Sequence, residues 1–318
     1  PKESLINREQ FWATLIHESL HHVAQSKMRS EKMREIQAEI KLEVDAMIAN
    51  GQRPPHLAAI LVGEDGASQT YVDNKIKSCK ECGFQSTMIR KEASLSENEL
   101  MDIIETLNND ASVDGFIIQL PLPKHINENK ILLHISPDKD VDGFTPHSIG
   151  LMTLGLDGFK PATPFGILKM LERYKIETKG KRCIVVGRSN IVGKPIGIML
   201  GQNNPVGNCT VTILNSHTPD MEKYTREADI LIVAIGKPKM VTADMVKEGA
   251  VVIDVGITRI KDDSKKGFHL EGDVDYAHVA EKCSYITPVP GGVGPMTVTM
   301  LLFNTLQSRK NKLKALTA

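Results

Sequence analysis

Apolar and polar positions alternate along the first half of the chain, with helical and strand periods in turn. Between residues 33 and 50, Ile36, Ile40 and Val44 recur on one helical face, and Gly51 ends the pattern. The uninterrupted apolar run at 56–62 predicts a strand buried on both faces. The elements predicted after it are a helix at 71–82, a strand at 86–89, a helix behind a Ser96–Glu99 capping box and a strand at 115–120. Strands that alternate with helices predict a parallel α/β layer.

The second half of the chain has a tighter rhythm of strands. Short helical segments separate apolar runs at 183–186, 210–214, 230–235 and 251–255. This cadence is typical of a doubly wound, dinucleotide-binding sheet. Between the halves we predict a polar loop at 138–146, a connecting segment at 148–156 and a helix from Thr163. A final helix at 298–310 is long enough to cross back and pack on the first domain.

These patterns predict a two-domain α/β fold. The N-terminal substrate domain is placed at 33–162, and the Rossmann-like dinucleotide-binding domain at 163–295, with 296–318 packing back on the first. Residues 1–32, which include a polar helix at 9–26, are interpreted as an extension of uncertain role.

Composition and charge narrow the class of protein. Of the 318 residues, 41% are hydrophobic and 25% are charged, as in ordinary globular enzymes. The 39 basic and 39 acidic side chains cancel, which argues against a nucleic-acid or membrane-surface partner. The sequence has no apolar run of about 18 residues, so we expect no membrane span.

Two motifs suggest metal or redox chemistry, but their context does not support it. Residues 17–21 match H-E-x-x-H, yet no downstream histidine motif supplies the third ligand that a catalytic zinc site needs. Cys79 and Cys82 form a C-x-x-C pair inside a helical pattern, and no second pair completes a site. We therefore expect reduced cysteines and no metal. Activity that survives a chelator would dismiss the zinc hydrolase alternative.

The stretch at 286–297 combines a strand end, a bare loop and a helix start. Three of the four residues at 291–294 are glycine, which lets a flat ligand approach the main chain. Pro295 suits the first turn of the apolar helix that follows, and the positive end of that helix favours anionic groups. A sharp structural turn is the simpler interpretation of one Gly-Gly pair, but the flanking prolines favour a ligand site.

The strand at 183–186 ends in a glycine turn that opens a helix. Gly187 and Gly193 bracket a G-x-S-x-x-x-G sequence, a relative of the dinucleotide fingerprint G-x-G-x-x-G. The next strand ends in Asn-Ser-His-Thr at 215–218, without the carboxylate that an NAD site usually places there. Arg188 lies in the first turn and could accommodate a 2′-phosphate. NADP is therefore favoured over NAD.

Four polar residues of the first domain could form a substrate site. Tyr71 and Lys75 are four apart and share one helical face. Gln119 comes at the carboxyl edge of a parallel strand, where open α/β sheets place ligand groups, and Asp142 lies in the loop beyond it. A solvated helix face is the simpler interpretation of the first pair. Together the four could handle a polar aromatic substrate.

Seven motifs along the chain occur in the order of one known family. They are Tyr-Val-Asp-Asn-Lys at 71–75, Gln-Leu-Pro-Leu-Pro at 119–123, Asp-Val-Asp-Gly-Phe at 140–144, Gly-Arg-Ser-Asn-Ile-Val-Gly at 187–193, Val-Ile-Asp-Val-Gly-Ile at 252–257, Gly-Asp-Val-Asp at 272–275 and Pro-Val-Pro-Gly-Gly-Val-Gly-Pro-Met-Thr at 288–297. Over residues 33–306 the chain resembles the bifunctional methylenetetrahydrofolate dehydrogenase/methenyltetrahydrofolate cyclohydrolases.

The resemblance implies an oxidoreductase and hydrolase of one-carbon metabolism, which feeds purine and amino-acid biosynthesis. Such an enzyme oxidises 5,10-methylenetetrahydrofolate with NADP and hydrolyses the methenyl product to 10-formyltetrahydrofolate. By similarity, Lys75 is the catalytic group of the hydrolysis and Gln119 holds it. Tyr71 would stack along the aminobenzoyl ring, and Asp142 would accept hydrogen bonds from the pterin.

The resemblance also implies the remaining contacts and properties. Substrate-binding residues, besides the four above, would be Leu120, Pro121, Pro290, Gly291, Gly292 and Thr297. Cofactor-binding residues would be Gly187, Arg188, Ser189, Ile191, Ser216, Ala234, Gly236, Ile257 and Thr297. We further expect tetrahydrofolate derivatives as partners, a homodimer, and a cytoplasmic location, or a mitochondrial one if the source is eukaryotic.

The chain departs from the family pattern in two places. Residues 1–32 lack the short strand and Asp-Gly-Lys segment that usually precede the first helix. Asn-Ser-His at 215–217 stands where relatives often carry His-Ser or His-Arg, which keeps some use of NAD open. A monofunctional NAD-dependent dehydrogenase and a folate-binding regulatory module are the alternatives. The intact Lys75 argues against the first, because hydride transfer alone gives it less to do. The complete set of Tyr71, Lys75, Gln119 and Asp142 argues against the second.

Overall fold

The computed structural model describes residues 28, 31–63, 66–264 and 267–317, without the side chains of 66–71, 316 and 317. The predicted helix at 9–26 and the H-E-x-x-H motif at 17–21 lie outside these residues. The helices are α1 Glu31–Ala49, α2 Gly66–Glu81, α3 Glu97–Asn109, α4 Glu128–His134, α5 Pro146–Leu154, α6 Ala162–Arg173, α7 Gly193–Gly201, α8 Met221–Thr225, α9 Tyr276–Val279 and α10 Val293–Thr317. The strands are β1 His56–Val62, β2 Gln85–Lys91, β3 Gly115–Ile118, β4 Arg182–Val186, β5 Thr210–Leu214, β6 Ile230–Val233, β7 Val251–Asp254, β8 Thr258–Lys261, β9 Phe268–Glu271 and β10 Tyr285–Ile286.

The first domain is built on a parallel sheet in the order β2-β1-β3. All seven residues of β1 are buried, as its continuous apolar run predicts. The capping box that starts α3 is present, because Ser96 Oγ accepts the Glu99 N–H and Glu99 accepts the Ser96 N–H. The main-chain N–H of Gln119 donates to Ile60 O at 2.9 Å, so the end of β3 stays joined to β1.

The second domain holds a five-stranded parallel sheet in the order β10-β7-β6-β4-β5. The chain leaves β4 to one side for β5 and returns to the other side for β6. The strand order therefore reverses between β4 and β6. In open α/β sheets this switch point, at the carboxyl ends of the strands, is where ligands bind.

The helix α10 joins the two domains. It begins at the glycine-rich loop after β10 and packs on α6, α1, α2 and β1. Its buried residues include Met300, Leu302 and Leu306, and Asn304 donates to the carbonyls of Val141 and Lys160 at 2.8 and 3.0 Å. The predicted return of the C-terminal helix is confirmed. The helix is longer than the predicted 298–310. It begins at Val293, so that Gly294, the last glycine of the loop, is already helical, and it continues to Thr317.

Several elements differ from the predictions. The segment at 148–156 is not a simple connection, since α5 forms there behind a Thr145 cap and ends at Gly155, whose φ is 70°. The helix α4 and the antiparallel β8–β9 hairpin are also new. The hairpin strands are short and half exposed, so they lack the long apolar run that made the other strands visible.

Candidate active site

Lys75 is a buried amine held against Gln119. It lies on α2 with only 6% of its surface exposed, and its Nζ donates to Gln119 Oε1 at 3.2 Å. Gln119 is oriented in turn, because its Nε2 donates to Leu120 O at 2.8 Å. The amide oxygen is therefore directed to the lysine. The structure thus brings together two of the predicted site residues that lie 44 positions apart.

Asp142 completes an ionisable pair with this lysine. Burial lowers the pKa of the Lys75 amine, while the negative charge of Asp142 and then the Cys79 thiol act in the opposite direction. Burial also raises the pKa of the half-buried Asp142 carboxyl to about 6, although Lys75 favours its ionised form. Both groups therefore exchange protons closer to neutrality than free side chains do. Such displaced pairs are typical of sites that carry out acid–base chemistry.

The loop that presents Asp142 is organised by a second, buried carboxylate that the sequence prediction missed. Asp140 accepts the N–H groups of Gly143, Phe144 and Thr145 at 2.8–3.1 Å and the Ser148 hydroxyl at 2.6 Å. Gly143 has a φ of 74°, and a Cβ there would lie 2.6 Å from the Lys160 carbonyl carbon. An Asp three residues before a Gly was the available signal for this turn.

The remaining first-domain residues are placed less completely. Tyr71 falls on the helix α2, but its side chain lies outside the described part of the chain. Leu120 is half-buried and Pro121 is exposed, directly beyond Gln119. Both therefore sit at the mouth of the Lys75 site.

The turn after β4 is closed by tight main-chain contacts and by the Ser189 side chain. Gly187 has a φ of 126°, and a Cβ there would lie 2.3 Å from Ala234 O at the end of β6. A Cβ on Gly193 would lie 2.2 Å from Gly187 O. Ser189 Oγ accepts the Val192 and Gly193 N–H groups at 3.1 and 3.3 Å, so it caps the first turn of α7. The two strands that flank the switch point thus meet with bare backbone, which suits a pyrophosphate.

Beside this turn lies the part of the site that would take the adenosine. Arg188, Ile191 and Ser216 are all exposed there. Asn215 follows β5, where an NAD site carries a carboxylate, and its Oδ1 accepts the His217 N–H at 3.0 Å. An exposed arginine follows β4 and an amide stands where an NAD site carries a carboxylate, so the residue types fit a 2′-phosphate.

The glycine-rich loop faces α2 across a cavity of about 710 Å³. The loop contributes residues 288–295 to its wall, with Gly291 at a φ of 102° and Ile257 beside it. The helix α2 contributes Asn74 and Ser78, whereas Lys75 on the same helix is directed to Gln119. The cavity therefore lies between α2 of the first domain and the loops after β7 and β10 of the second, and Lys75 is not among the residues that line it.

Three further predicted residues lie on α10 and on the loop after β6. Thr297 is buried and shares a 3.0 Å hydrogen bond with Thr163, which ties the start of α10 to α6. Gly236, with a φ of 66°, and half-buried Ala234 follow β6. They stand on the opposite side of the switch point from β5.

Models of two domain families match nearly the whole described chain. The catalytic domain of tetrahydrofolate dehydrogenase/cyclohydrolase matches residues 29–142, and the NAD(P)-binding domain of the same enzymes matches residues 161–313. The chain belongs to the tetrahydrofolate dehydrogenase/cyclohydrolase family. The predicted family, two-domain fold and dinucleotide-binding domain are thereby confirmed.

Individual relatives in this family agree along most of their length. The bifunctional protein FolD of Flavobacterium johnsoniae is 55% identical over 277 residues, which cover 87% of this chain and 94% of the relative. The crystal structure of bifunctional FolD from Campylobacter jejuni is 46% identical with a TM-score of 0.83, and the match covers 90% of this chain and 98% of that one. The Trypanosoma brucei FolD structure, complexed with NADP cofactor and inhibitor, is 35% identical with a TM-score of 0.85 over 90% of this chain and 97% of that one.

Three other features of the described residues bear on the predictions. Within the described ranges, His, Cys, Asp and Glu side chains form no cluster of three that could hold a metal ion. In the same ranges, no helix has the length and apolar character to cross a membrane. All five cysteines are free thiols, and burial raises the pKa of Cys79 to about 12 and of Cys82 to about 11. These two thiols are therefore poor nucleophiles at neutral pH.

Proposed function

We propose that this chain oxidises 5,10-methylenetetrahydrofolate to 5,10-methenyltetrahydrofolate with NADP, and then hydrolyses the methenyl cation to 10-formyltetrahydrofolate. The observation that carries the proposal is the buried Lys75 amine, 3.2 Å from Gln119 Oε1 and electrostatically coupled to Asp142, in a chain of this family. The bifunctional relatives of similar length support both activities.

In the hydrolytic step, Lys75 manages the proton of the attacking water. Water adds to the methenyl carbon and loses a proton. The bond from that carbon to one folate nitrogen then breaks, this nitrogen takes up a proton, and the hydroxyl loses its proton to become the formyl carbonyl, so that one proton is released in all. Burial lowers the pKa of Lys75, so its neutral form is available to take up the proton at a lower pH than for a free lysine. Gln119 accepts a hydrogen bond from the amine and keeps it in place.

In the oxidative step, the protein mainly positions the two reactants. When bound, the nicotinamide accepts a hydride from the methylene carbon, and the lone pair of the folate nitrogen stabilises the cation that forms. The chain therefore needs no strong base for this step, and orientation dominates. Asp142 would hold the pterin, Tyr71 the aminobenzoyl ring, and the loop at 288–297 would lie over both reactants.

The cofactor site fits NADP better than NAD. Gly187, Ser189 and Ile191 would hold the pyrophosphate and adenosine, and Arg188 with Ser216 the 2′-phosphate. Ala234, Gly236 and Ile257 would border the nicotinamide. Competition by free 2′-phosphorylated adenosine tests the preference, and equal use of both nicotinamides would contradict it.

The proposal extends to organisation and surroundings. We place the folate domain at 33–162 with 296–318 packed on it, and the dinucleotide domain at 163–295. β5 is the outer strand of its sheet and has a half-exposed edge, with Ile213 37% exposed, which supports a homodimer through this domain. The unpaired cysteines support a cytoplasmic location, and the balanced charge supports the absence of a nucleic-acid partner. Sedimentation measurements would test the dimer.

One spectrophotometric assay tests the central proposal. Methylenetetrahydrofolate is supplied with NADP or NAD, and the reduced nicotinamide and the methenyl product are followed at separate wavelengths. We expect both signals with NADP, and decay of added methenyltetrahydrofolate faster than its uncatalysed hydrolysis. A dehydrogenase signal without accelerated decay would favour the monofunctional alternative. The absence of both signals would refute the proposed function.

A further inference from the structure

Two buried aspartates stand behind the loops that border the nicotinamide side of the dinucleotide site. Asp254 ends β7 and is 3% exposed, and Asp273 lies on the segment 272–275 and is fully buried. We call the segment 272–275 the strap, because it crosses the carboxyl ends of β6 and β7. Nothing in the proposed mechanism uses either carboxylate.

The two carboxylates collect five main-chain N–H groups from three segments. Asp254 accepts those of Gly256, Asp273 and Val274, each at 3.0 Å. Asp273 Oδ2 accepts those of Ile235 and Gly236 at 2.7 and 2.9 Å. The loop after β6 is therefore joined to the strap, and the strap to the loop after β7.

The surrounding backbone is shaped to leave room for these carboxylates. A Cβ on Gly272 would lie 1.9 Å from Asp254 Oδ2, and a Cβ on Gly256 would lie 2.2 Å from Asp273 Cγ. Each aspartate thus occupies the space of a side chain that the glycine lacks. Such mutual fitting indicates that the pair sets the distance between the two loops.

The connection continues to the glycine-rich loop. The Asp254 main-chain N–H donates to Thr287 Oγ1 at 2.7 Å, directly after β10. A Cβ on Gly292 would lie 2.8 Å from Thr287 Cβ, so the loop rests on this threonine. A continuous line of contacts therefore runs from Gly236 through both aspartates and Thr287 to the loop at 288–294.

These loops lie on the nicotinamide side of the fold. The cofactor spans the switch point between β4 and β6, and the end of β5 receives the adenosine ribose. The nicotinamide must then extend over the ends of β6 and β7, beyond the turn at Gly187. The two aspartates lie beneath that position.

We propose that Asp273 and Asp254 are positioning residues that set the nicotinamide against the folate by fixing the loops after β6, β7 and β10. This inference rests on the proposed function. The carboxylates act through the loops and do not touch the reacting atoms. Burial raises the pKa of Asp254 to about 7, and the neighbouring Asp273 charge adds to this effect. Near neutrality the pair therefore carries less than two full negative charges, which makes its burial less costly.

The decisive experiment compares ligands that do and do not reach the loops. Asp273→Ala removes the acceptor of the part-buried Ile235 and Gly236 N–H groups. We expect NADPH affinity, measured by fluorescence titration, to fall about tenfold or more, since the loop after β6 loses the two hydrogen bonds that hold it to the strap. Affinity for 2′,5′-ADP, which lacks the nicotinamide half, should stay within about twofold of wild type. Dehydrogenase kcat/KM should fall about 10- to 100-fold, the scale of a misplacement of about 1 Å.

Cyclohydrolase activity is the internal reference, because hydrolysis of methenyltetrahydrofolate needs no nicotinamide. It should stay within about threefold of the wild-type rate. Asp273→Asn keeps an acceptor for Ile235 and Gly236 and should recover most of the lost NADPH affinity. The matched control is Asp275→Ala on the same strap, whose carboxylate pairs with the exposed His278 at 2.6 Å. This variant should leave NADPH affinity, 2′,5′-ADP affinity, dehydrogenase kcat/KM and the cyclohydrolase rate unchanged.

Two results would overturn the inference. One is NADPH affinity and dehydrogenase activity of wild-type size in Asp273→Ala. The other is an equal loss of NADPH affinity, 2′,5′-ADP affinity and hydrolysis, which would indicate a general structural role. If Asp273→Ala does not yield folded protein, Thr287→Val makes the same comparison on the same line of contacts, with Thr287→Ser as the rescue. If the wild type lacks folate activity, the proposed function fails, and the two binding affinities still decide the role of Asp273.

Discussion

The first domain contributes ionisable side chains that are shielded from water. The second domain contributes a turn in which main-chain atoms approach one another closely. Lys75 and Asp142 have pKa values displaced towards neutrality by burial. At the turn of Gly187, by contrast, the close contacts are between backbone atoms. Proton transfer needs groups whose protonation can change, whereas hydride transfer needs only that two rings meet in the right orientation. The two activities can therefore be separated by mutation.

The largest effect is expected from Lys75→Met. Loss of the amine removes the acid–base group, so cyclohydrolase kcat should fall by about 10² or more while the fold persists. NADPH affinity should not change, because the second domain is untouched. Assays that follow the loss of methenyltetrahydrofolate measure kcat, and circular dichroism shows whether the fold persists. Lys80→Met, an exposed lysine on the same helix, is the control. Hydrolysis by Lys75→Met near the wild-type rate would reject the assignment.

Gly187→Ala tests the main-chain turn of the second domain. Its Cβ would lie 2.3 Å from Ala234 O at a φ of 126°, so the turn must open. Dehydrogenase kcat/KM should fall about 10- to 100-fold, because the opened turn no longer positions the cofactor. The hydrolysis rate should be retained. Gly180→Ala is the matched control, since it also has positive φ, 74°, but no atom within 4 Å. If both alanines had the same effect, backbone strain and not the close approach would be responsible.

Asp142→Asn should weaken folate binding in both reactions. A hydrogen bond to a charged group contributes about 1.5–3 kcal/mol, so the folate KM should rise about tenfold or more. The wild-type pKa is raised to about 6, so the carboxyl becomes protonated as the pH falls through 6. Its hydrogen-bond acceptance from the pterin is therefore present above that pH and lost below it.

A pH series of the folate KM separates this effect from others. In the wild type KM should rise below about pH 6, and in Asp142→Asn it should be high and insensitive to pH over the same window. Asp138→Asn, an exposed carboxylate shortly before it in the chain, serves as the control. An unchanged folate KM with unchanged turnover would count against the pterin contact.

Arg188→Ala has the smallest expected effect. The guanidinium is exposed, so its pairing with a 2′-phosphate is worth about 1 kcal/mol or less. The NADP KM should rise by no more than about fivefold, and the NAD KM should not change. Arg182→Ala at the opposite end of β4, where the arginine pairs with Glu227, is the control. A parallel change for both nicotinamides would locate Arg188 away from the 2′-position.

The sequence predicted the strands best where burial on both faces leaves an unbroken apolar run. The bounds of β1 agree to the residue, and the capping box of α3 is present. The bounds of β5 also agree, although four of its five residues are exposed or half-buried. Short elements without that signal were missed, notably the β8–β9 hairpin. Strand-end logic placed Gln119 at the carboxyl edge of the sheet, whereas its contact with Lys75 was expected from the family resemblance.

Contacts formed across distant segments were not readable in this way. Asp140 and Asp273 each sit in a motif that the sequence displayed, but their role depends on which N–H groups the fold delivers to them. Asp273 is 38 residues from Ile235 along the chain. No local period or propensity encodes such a meeting, since it arises only when three strand ends converge. The assignments of individual site residues remain predictions for the experiments above.

The helix α10 starts in the loop that borders one reactant and ends against the domain that binds the other. Because α10 packs on both domains, the gap between the lobes cannot widen unless the helix rotates or slides against one of them. A compound bound between α10 and the first domain would therefore change the spacing of the two lobes without occupying either binding pocket.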